Sequence, residues 1–164
     1  MASTKNLEDD IQYHFQNRAL LQEALLTSGN DHKCNAVEAG KPANKRLALL
    51  GDAVLRLAIV DHWWEQGTLQ DVCNPRHING NGLLTPLLET CERTCQELAS
   101  NQNLNDRGHS MGIDQQVTKN PCQNGVVSKT AMASTLEAVM GAAWLDSGKD
   151  WPVTRAIATR LYCK

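Results

Sequence analysis

The chain has 164 residues, a formal net charge of −2 and 41% hydrophobic residues, which suits one domain with a real core and excludes binding to nucleic acid by bulk positive charge. No apolar run reaches the ~18–20 residues of a membrane-spanning helix, so no membrane contact is expected. Met1 to Asp10 is polar and acidic without an apolar signal core, which predicts an intracellular protein (cytoplasm, nucleus or mitochondrion), secretion following only if a leader has been removed.

In chain order, the spacing predicts a short amphipathic helix over Ala19–Thr27, stopped by Ser28-Gly29-Asn30. Residues 29–43 read as a loop. A long central helix follows over Ala43–Gln66, ended by Gly67, and residues 71–78 connect it onward. Apolar residues at 83, 84, 87, 88, 91, 95 and 98 predict a helix over Leu83–Ala99. Asn101–Asn105 breaks it, and the polar residues 106–126, with Gly108, Gly112, Pro121 and Gly125, read as a loop containing at most one helical turn. Val127–Leu145 is a second apolar helix, stopped by Gly148. Asp150 is the expected N-cap of a final helix with Pro152 in its first turn. No segment alternates at period two for long enough to make a strand, so the chain is predicted to be all-α. Four tryptophans, two tyrosines and one phenylalanine leave the core to Leu, Ala, Val and Ile, which pack well between close helices.

Two of these helices carry a lone acid beside a small residue. Asp52 follows Gly51 in Lys45-Arg46-Leu47-Ala48-Leu49-Leu50-Gly51-Asp52-Ala53-Val54-Leu55, where Ala48, Leu55 and Ile59 share its helical face. Glu137 precedes Gly141 by one turn in the apolar run Ala133–Gly148. Glycine and alanine would let the two backbones cross closely. A carboxylate buried in such a setting costs several kcal/mol unless it is paired or bound to a metal. Either Asp52 pairs with Arg46 or Arg56 while Glu137 is solvated, or both acids share a divalent cation. The residues alone leave both open.

The two segments resemble the signatures of the ribonuclease III family, approximately E-R-L-E-F-L-G-D-A-V-L and A-D-T-F-E-A-L-I-G-A-I-Y-L-D-S-G. Lys45–Leu55 stands in register with the first, and Ala133–Gly148 aligns with the second without a gap. Asp10–Phe15 and Leu20–Thr27 are similar to the family's opening helices. The resemblance spans residues 6 to 160 and implies the helical endonuclease-domain fold, here as one domain over 1–164 with no double-stranded-RNA-binding domain. It also implies a homodimer built on the first-signature region, with Leu49, Leu50 and Leu55 contributing, and a substrate of double-stranded RNA.

The family site uses four carboxylates to hold magnesium. By the resemblance, Asp52 and Glu137 remain as catalytic and metal-binding residues, whereas Ala48 and Ser134 stand where the other two ligands would be, and Lys45 replaces the glutamate that opens the signature. Mg²⁺ or Mn²⁺ would be held weakly. Asp61 and Glu65 lie about 13 and 20 Å along the helix from Asp52, too far to substitute. Asp146 lies near a helix end, and Glu38, in a loop, is positionally freer.

Lys45, Arg46, Arg56 and Lys129 are the candidate RNA-binding cations near the two signatures; Arg76, His77, Arg155, Arg160 and Lys164 are further basic positions. Six cysteines, at 34, 73, 91, 95, 122 and 163, are expected to be free thiols of a reducing compartment, with disulfides the alternative if a leader has been removed. Cys91 and Cys95, one helical turn apart, are badly placed for a mutual disulfide. With Cys73 and His77 they would make a zinc-type set, but no C-x-x-C supports one. The reading that follows is a dimeric, ribonuclease III-like protein binding double-stranded or structured RNA, alone or within a ribonucleoprotein, with weak or no cleavage. An active metal-dependent endoribonuclease with an unusual ligand set, and a protein-interaction module without RNA, are the alternatives.

Overall fold

Helices begin in this chain where a short polar side chain can take up orphan amides. In the computed structural model, which describes residues 6–27, 44–65, 84–118 and 126–162, five starts are of this kind. Asn6 caps α1 (Leu7–Ile11) and Asn17 caps α2 (Arg18–Ala24). Ser100 accepts from the Asn103 amide at 3.1 Å to open α5 (Asn101–Ser110). Ser128 accepts from the Ala131 amide at 3.2 Å to open α6 (Lys129–Asp146). Asp150 accepts from the Val153 amide at 2.9 Å to open α7 (Trp151–Tyr162), as expected from the sequence. The remaining helices are α3 (Lys45–Glu65) and α4 (Leu84–Leu98). The described residues are otherwise turns, one 3₁₀ turn (Ile113–Gln115) and an isolated parallel bridge between Leu26 and Thr118. The fold is all-α.

Helix α6 is the central element. From Met132 to Ala143 nearly every residue is buried, with Ser134 and Glu137 half-buried, and a helix apolar on all sides must be surrounded. Helix α3 crosses it most closely. A Cβ added at Gly51 would lie 1.7 Å from the Glu137 carbonyl oxygen, and one at Gly141 would lie 2.2 Å from the Leu47 carbonyl oxygen. Each glycine thus makes room for the backbone of the other helix. Asn44, buried just before α3, donates through Nδ2 to the Ala24 carbonyl at 3.1 Å and to Thr135 Oγ1 at 3.3 Å. It ties α2, α3 and α6 together where they meet.

The outer helices are joined by charge and by backbone caps. Arg155 of α7 pairs with Asp61 and Glu65 of α3, and the Trp151 indole donates to Asp61 at 3.2 Å. Arg107 of α5 donates to the Leu161 and Arg160 carbonyls at 3.1 and 2.7 Å, closing the exposed end of α7. Asp146, at the last turn of α6, accepts from the Tyr13 hydroxyl at 2.7 Å and from the Gln16 and Asn17 amides at 2.9 and 2.8 Å. These three donors, working against burial, hold its carboxyl below the usual range. Asp61, Glu65 and Asp146 are thereby committed to structure.

Two expectations need correction. Residues 101–110 form a helix where a break and a loop were expected: Ser100 supplies the break and at once the next cap, and burial of Leu104 and Gly108 overrides the poor helix propensity of the asparagines. Leu55, expected at a dimer contact, is fully buried, because it belongs to the stripe that α3 turns to the core. Leu50 is half-buried, and Leu49 is 77% exposed.

Gly51→Ala and Gly141→Ala should each destabilise the domain by roughly 3 kcal/mol or more in urea unfolding, since backbone must move. Gly108→Ala, whose new methyl would meet Met132 at Sδ and Cγ inside the core, should cost less than either, about 1–2 kcal/mol, because a side chain and not backbone must move.

Candidate functional site

The glycine crossing brings Asp52 and Glu137 to one place. Asp52 comes immediately after Gly51, and the Glu137 backbone lies against Gly51. Asp52 does not sink among Ala48, Leu55 and Ile59 as expected. Those three are buried, whereas the Asp52 side chain keeps 35% of its surface exposed. The buried stripe of α3 is centred on the glycine side, which leaves position 52 at its rim.

Asp52 does have the partner that its setting demands. Arg56, one turn further along α3, donates from Nε to both carboxylate oxygens, at 2.9 and 3.1 Å. Glu137 is not solvated, contrary to one of the two readings of the sequence. It is half-buried, and its carboxyl is pushed up to about 7, first by burial and then by the negative charge of Asp52, with Arg56 pulling the other way. Glu137 therefore lies within reach of the charges of both Asp52 and Arg56, while the guanidinium is bonded to Asp52 alone.

The remaining sequence candidates are placed as follows. Ala48 is buried and offers no donor, and Ser134, half-buried, lies one turn before Glu137 on α6. Lys45 and Arg46 are exposed at the start of α3. Lys129 is exposed at the start of α6, about 12 Å along the helix from Glu137, and donates from Nζ to Gln102 Oε1 of α5 at 2.9 Å. Of the four expected RNA-binding cations, Arg56 is the one bonded to Asp52. Arg155, another basic candidate, is taken by Asp61 and Glu65. Arg76, His77, Glu38 and Lys164 lie outside the described residues, as do Cys34, Cys73, Cys122 and Cys163. Cys91 and Cys95 are buried free thiols; burial, and then its neighbour Cys91, push the Cys95 thiol up. Among the described residues no group of three or more His, Cys, Asp or Glu side chains is gathered as a metal site. Asn44, which ties three helices together, is not legible in the sequence.

Because the folded state raises the proton affinity of Glu137, stability gained from that proton is present at low pH and is lost as pH rises from about 4.5 through about 7. Glu137→Gln should leave the melting temperature unchanged at pH 4 and raise stability by ~1–2 kcal/mol at pH 8, a figure already reduced for solvent screening at this half-buried group. Thermal unfolding at the two pH values checks this.

The ribonuclease III domain model matches residues 45–148, from the first residue of one signature to the last of the other. Ribonuclease 3 of Syntrophotalea carbinolica is 32% identical over 147 residues, covering 88% of this chain and 56% of its own length. Ribonuclease 3 of Actinobacillus succinogenes is 32% identical over 164 residues, covering 99% of this chain and 62% of its own. The chain thus spans somewhat over half the length of these curated relatives. The nuclease domain of ribonuclease III from Campylobacter jejuni superposes with a TM-score of 0.70 at 20% identity, over 99% of this chain and 95% of that one. A second solved structure of that domain, concerned with flexibility in the region involved in dimer formation, gives 0.69 at 21% identity over 98% and 96%. With both signature segments inside the match and relatives at this level of identity, the chain belongs to the ribonuclease III domain family.

Proposed function

We propose that this chain acts as one ribonuclease III-like domain that pairs with a second copy and binds double-stranded or structured RNA with little or no strand cleavage. The observation that carries this reading is the state of Asp52: its carboxylate is already engaged by Arg56, and its neighbour one turn earlier is the buried Ala48.

Magnesium needs a hard, near-octahedral oxygen shell and depends on anionic ligands to hold it. The donor set here does not fit a resident magnesium pair. Two carboxylates are neighbours, and one of them is already bonded through both oxygens to a guanidinium. Ser134 brings a hydroxyl without charge, and Ala48 brings nothing. If each missing carboxylate ligand is worth about 2.7–4 kcal/mol in a transition state, two together slow cleavage by roughly four to six orders of magnitude. The repulsion between Asp52 and Glu137 favours the second reading, a weak Mg²⁺- or Mn²⁺-dependent endoribonuclease, because a cation would relieve it.

Binding is a separate matter from cleavage. Lys45, Arg46, Arg56 and Lys129 are exposed along the starts of α3 and α6 and at the acid pair, where they suit phosphate contacts that position a duplex without reading its sequence. Pairing of two copies is supported by the outer face of α3. Leu49, Leu57, Val60 and Trp64 are exposed there, and the Campylobacter jejuni nuclease domain has a region involved in dimer formation.

Incubation with duplex RNA and Mg²⁺ or Mn²⁺, beside Glu137→Ala and Asp52→Ala, tests the reading. Binding that weakens with salt and no metal-dependent cleavage is the expected result. Cleavage by wild type that disappears in both variants overturns it in favour of the endonuclease, and absence of salt-dependent binding favours an interaction module instead. Leu49→Asp should shift sedimentation from dimer to monomer, since a charge would replace the most exposed leucine of that face.

A further inference from the structure

A pocket built around two neighbouring carboxylates repels a phosphodiester unless something positive stands between them. Magnesium would serve, but the donor set fits it badly. Arg56 stands at that place already. The helical repeat puts residue 56 one turn beyond residue 52 on the same face, and its Nε donates to both Asp52 oxygens. Its charge also reaches Glu137 on the facing helix. The side chain remains 51% exposed. Among the described residues its two terminal nitrogens have no partner. A guanidinium held at Nε keeps its outer N–H pair in a fixed plane, the geometry that takes two phosphate oxygens at once.

We propose that Arg56 is the resident cation of this pocket: anchored by Asp52, it denies the Asp52–Glu137 pair to a divalent ion and offers its terminal nitrogens to one phosphate of an RNA strand. The phosphate half of this statement rests on the RNA-binding reading above; the exclusion of a divalent ion does not. With Arg56 in place the pocket is close to neutral. Without it, one to two negative charges face the backbone of any RNA that approaches. An arginine also keeps its charge at every physiological pH and independently of metal supply, so RNA contact at this point should be indifferent to magnesium.

The test uses the full chain, a short RNA duplex of mixed sequence, and Mn²⁺. Wild type should bind the duplex equally well in EDTA and in millimolar Mn²⁺ at matched ionic strength, and should show no Mn²⁺ binding by calorimetry. Arg56→Gln should weaken duplex binding about tenfold or more in EDTA and lower the slope of log affinity against log salt by about one. It should also acquire Mn²⁺ binding, and Mn²⁺ should restore its affinity for RNA. In Arg56→Gln combined with Asp52→Asn, the rescue should vanish while the fold, followed by circular dichroism, persists. A general loss of structure would not produce rescue by a cation. If wild type binds RNA but Arg56→Gln binds it equally well, or binds it less well without gaining Mn²⁺ or being rescued, Arg56 is not the pocket's cation. Wild type that binds Mn²⁺ tightly overturns the exclusion directly. If wild type binds no RNA at all, the phosphate contact falls together with the RNA-binding reading, and calorimetry on Arg56→Gln still decides the exclusion.

Discussion

The close approach of α3 and α6 governs this molecule. Two backbones lie where any side chain at position 51 or 141 would collide with a carbonyl, and every nearby feature is set by that. It puts Asp52 and Glu137 opposite each other, and it presses the flank of α3 that bears Ala48, Leu55 and Ile59 into the core. It also leaves the opposite flank, with Leu49 and Leu57, facing outward. Packing at this density has no slack, so the acids are positioned by main chain and not by adaptable side chains.

Charge in the pocket then follows from distance. Half-burial raises the cost of ionising Glu137, and repulsion from Asp52 on the crossing helix adds to it. Arg56 takes both oxygens of Asp52. The family membership establishes the architecture in which such acids meet. What the pocket does in this chain depends on which positive group settles between them, and the sequence places one within a single helical turn.

Much of this was legible before any coordinates. Gly51 and Gly141 in otherwise apolar helices announce the crossing, and Asp150 with Pro152 announces the start of α7; the two acids are legible as neighbours across that crossing. Helix α5 was not legible, because asparagine-rich segments form helices only when something outside them rewards it; here that is burial of Leu104 and Gly108 behind a serine cap. The surroundings of Asp52 were misread for a different reason. A helical wheel gives neighbours on one helix but not the direction from which the second helix arrives, so residues sharing a face with Asp52 were taken for its environment, and Leu55 for an outward contact. Asn44 was overlooked because a lone amide gives no periodic signal.

One carboxylate has a consequence for the order in which the chain assembles. Residues 13–17 belong to no helix; Glu8 takes the Tyr13 and Phe15 amides from close by, and Asp146 holds the Tyr13 hydroxyl and the Gln16 and Asn17 amides from as far as 133 positions away. The Glu8 half can form locally, but the Gln16–Asn17 half cannot settle until the far end of α6 exists, since long loops must close before their contacts return anything. The Gln16 and Asn17 amides, exposed and held at long range, should accordingly dock late and exchange with solvent before the buried Phe15 amide does.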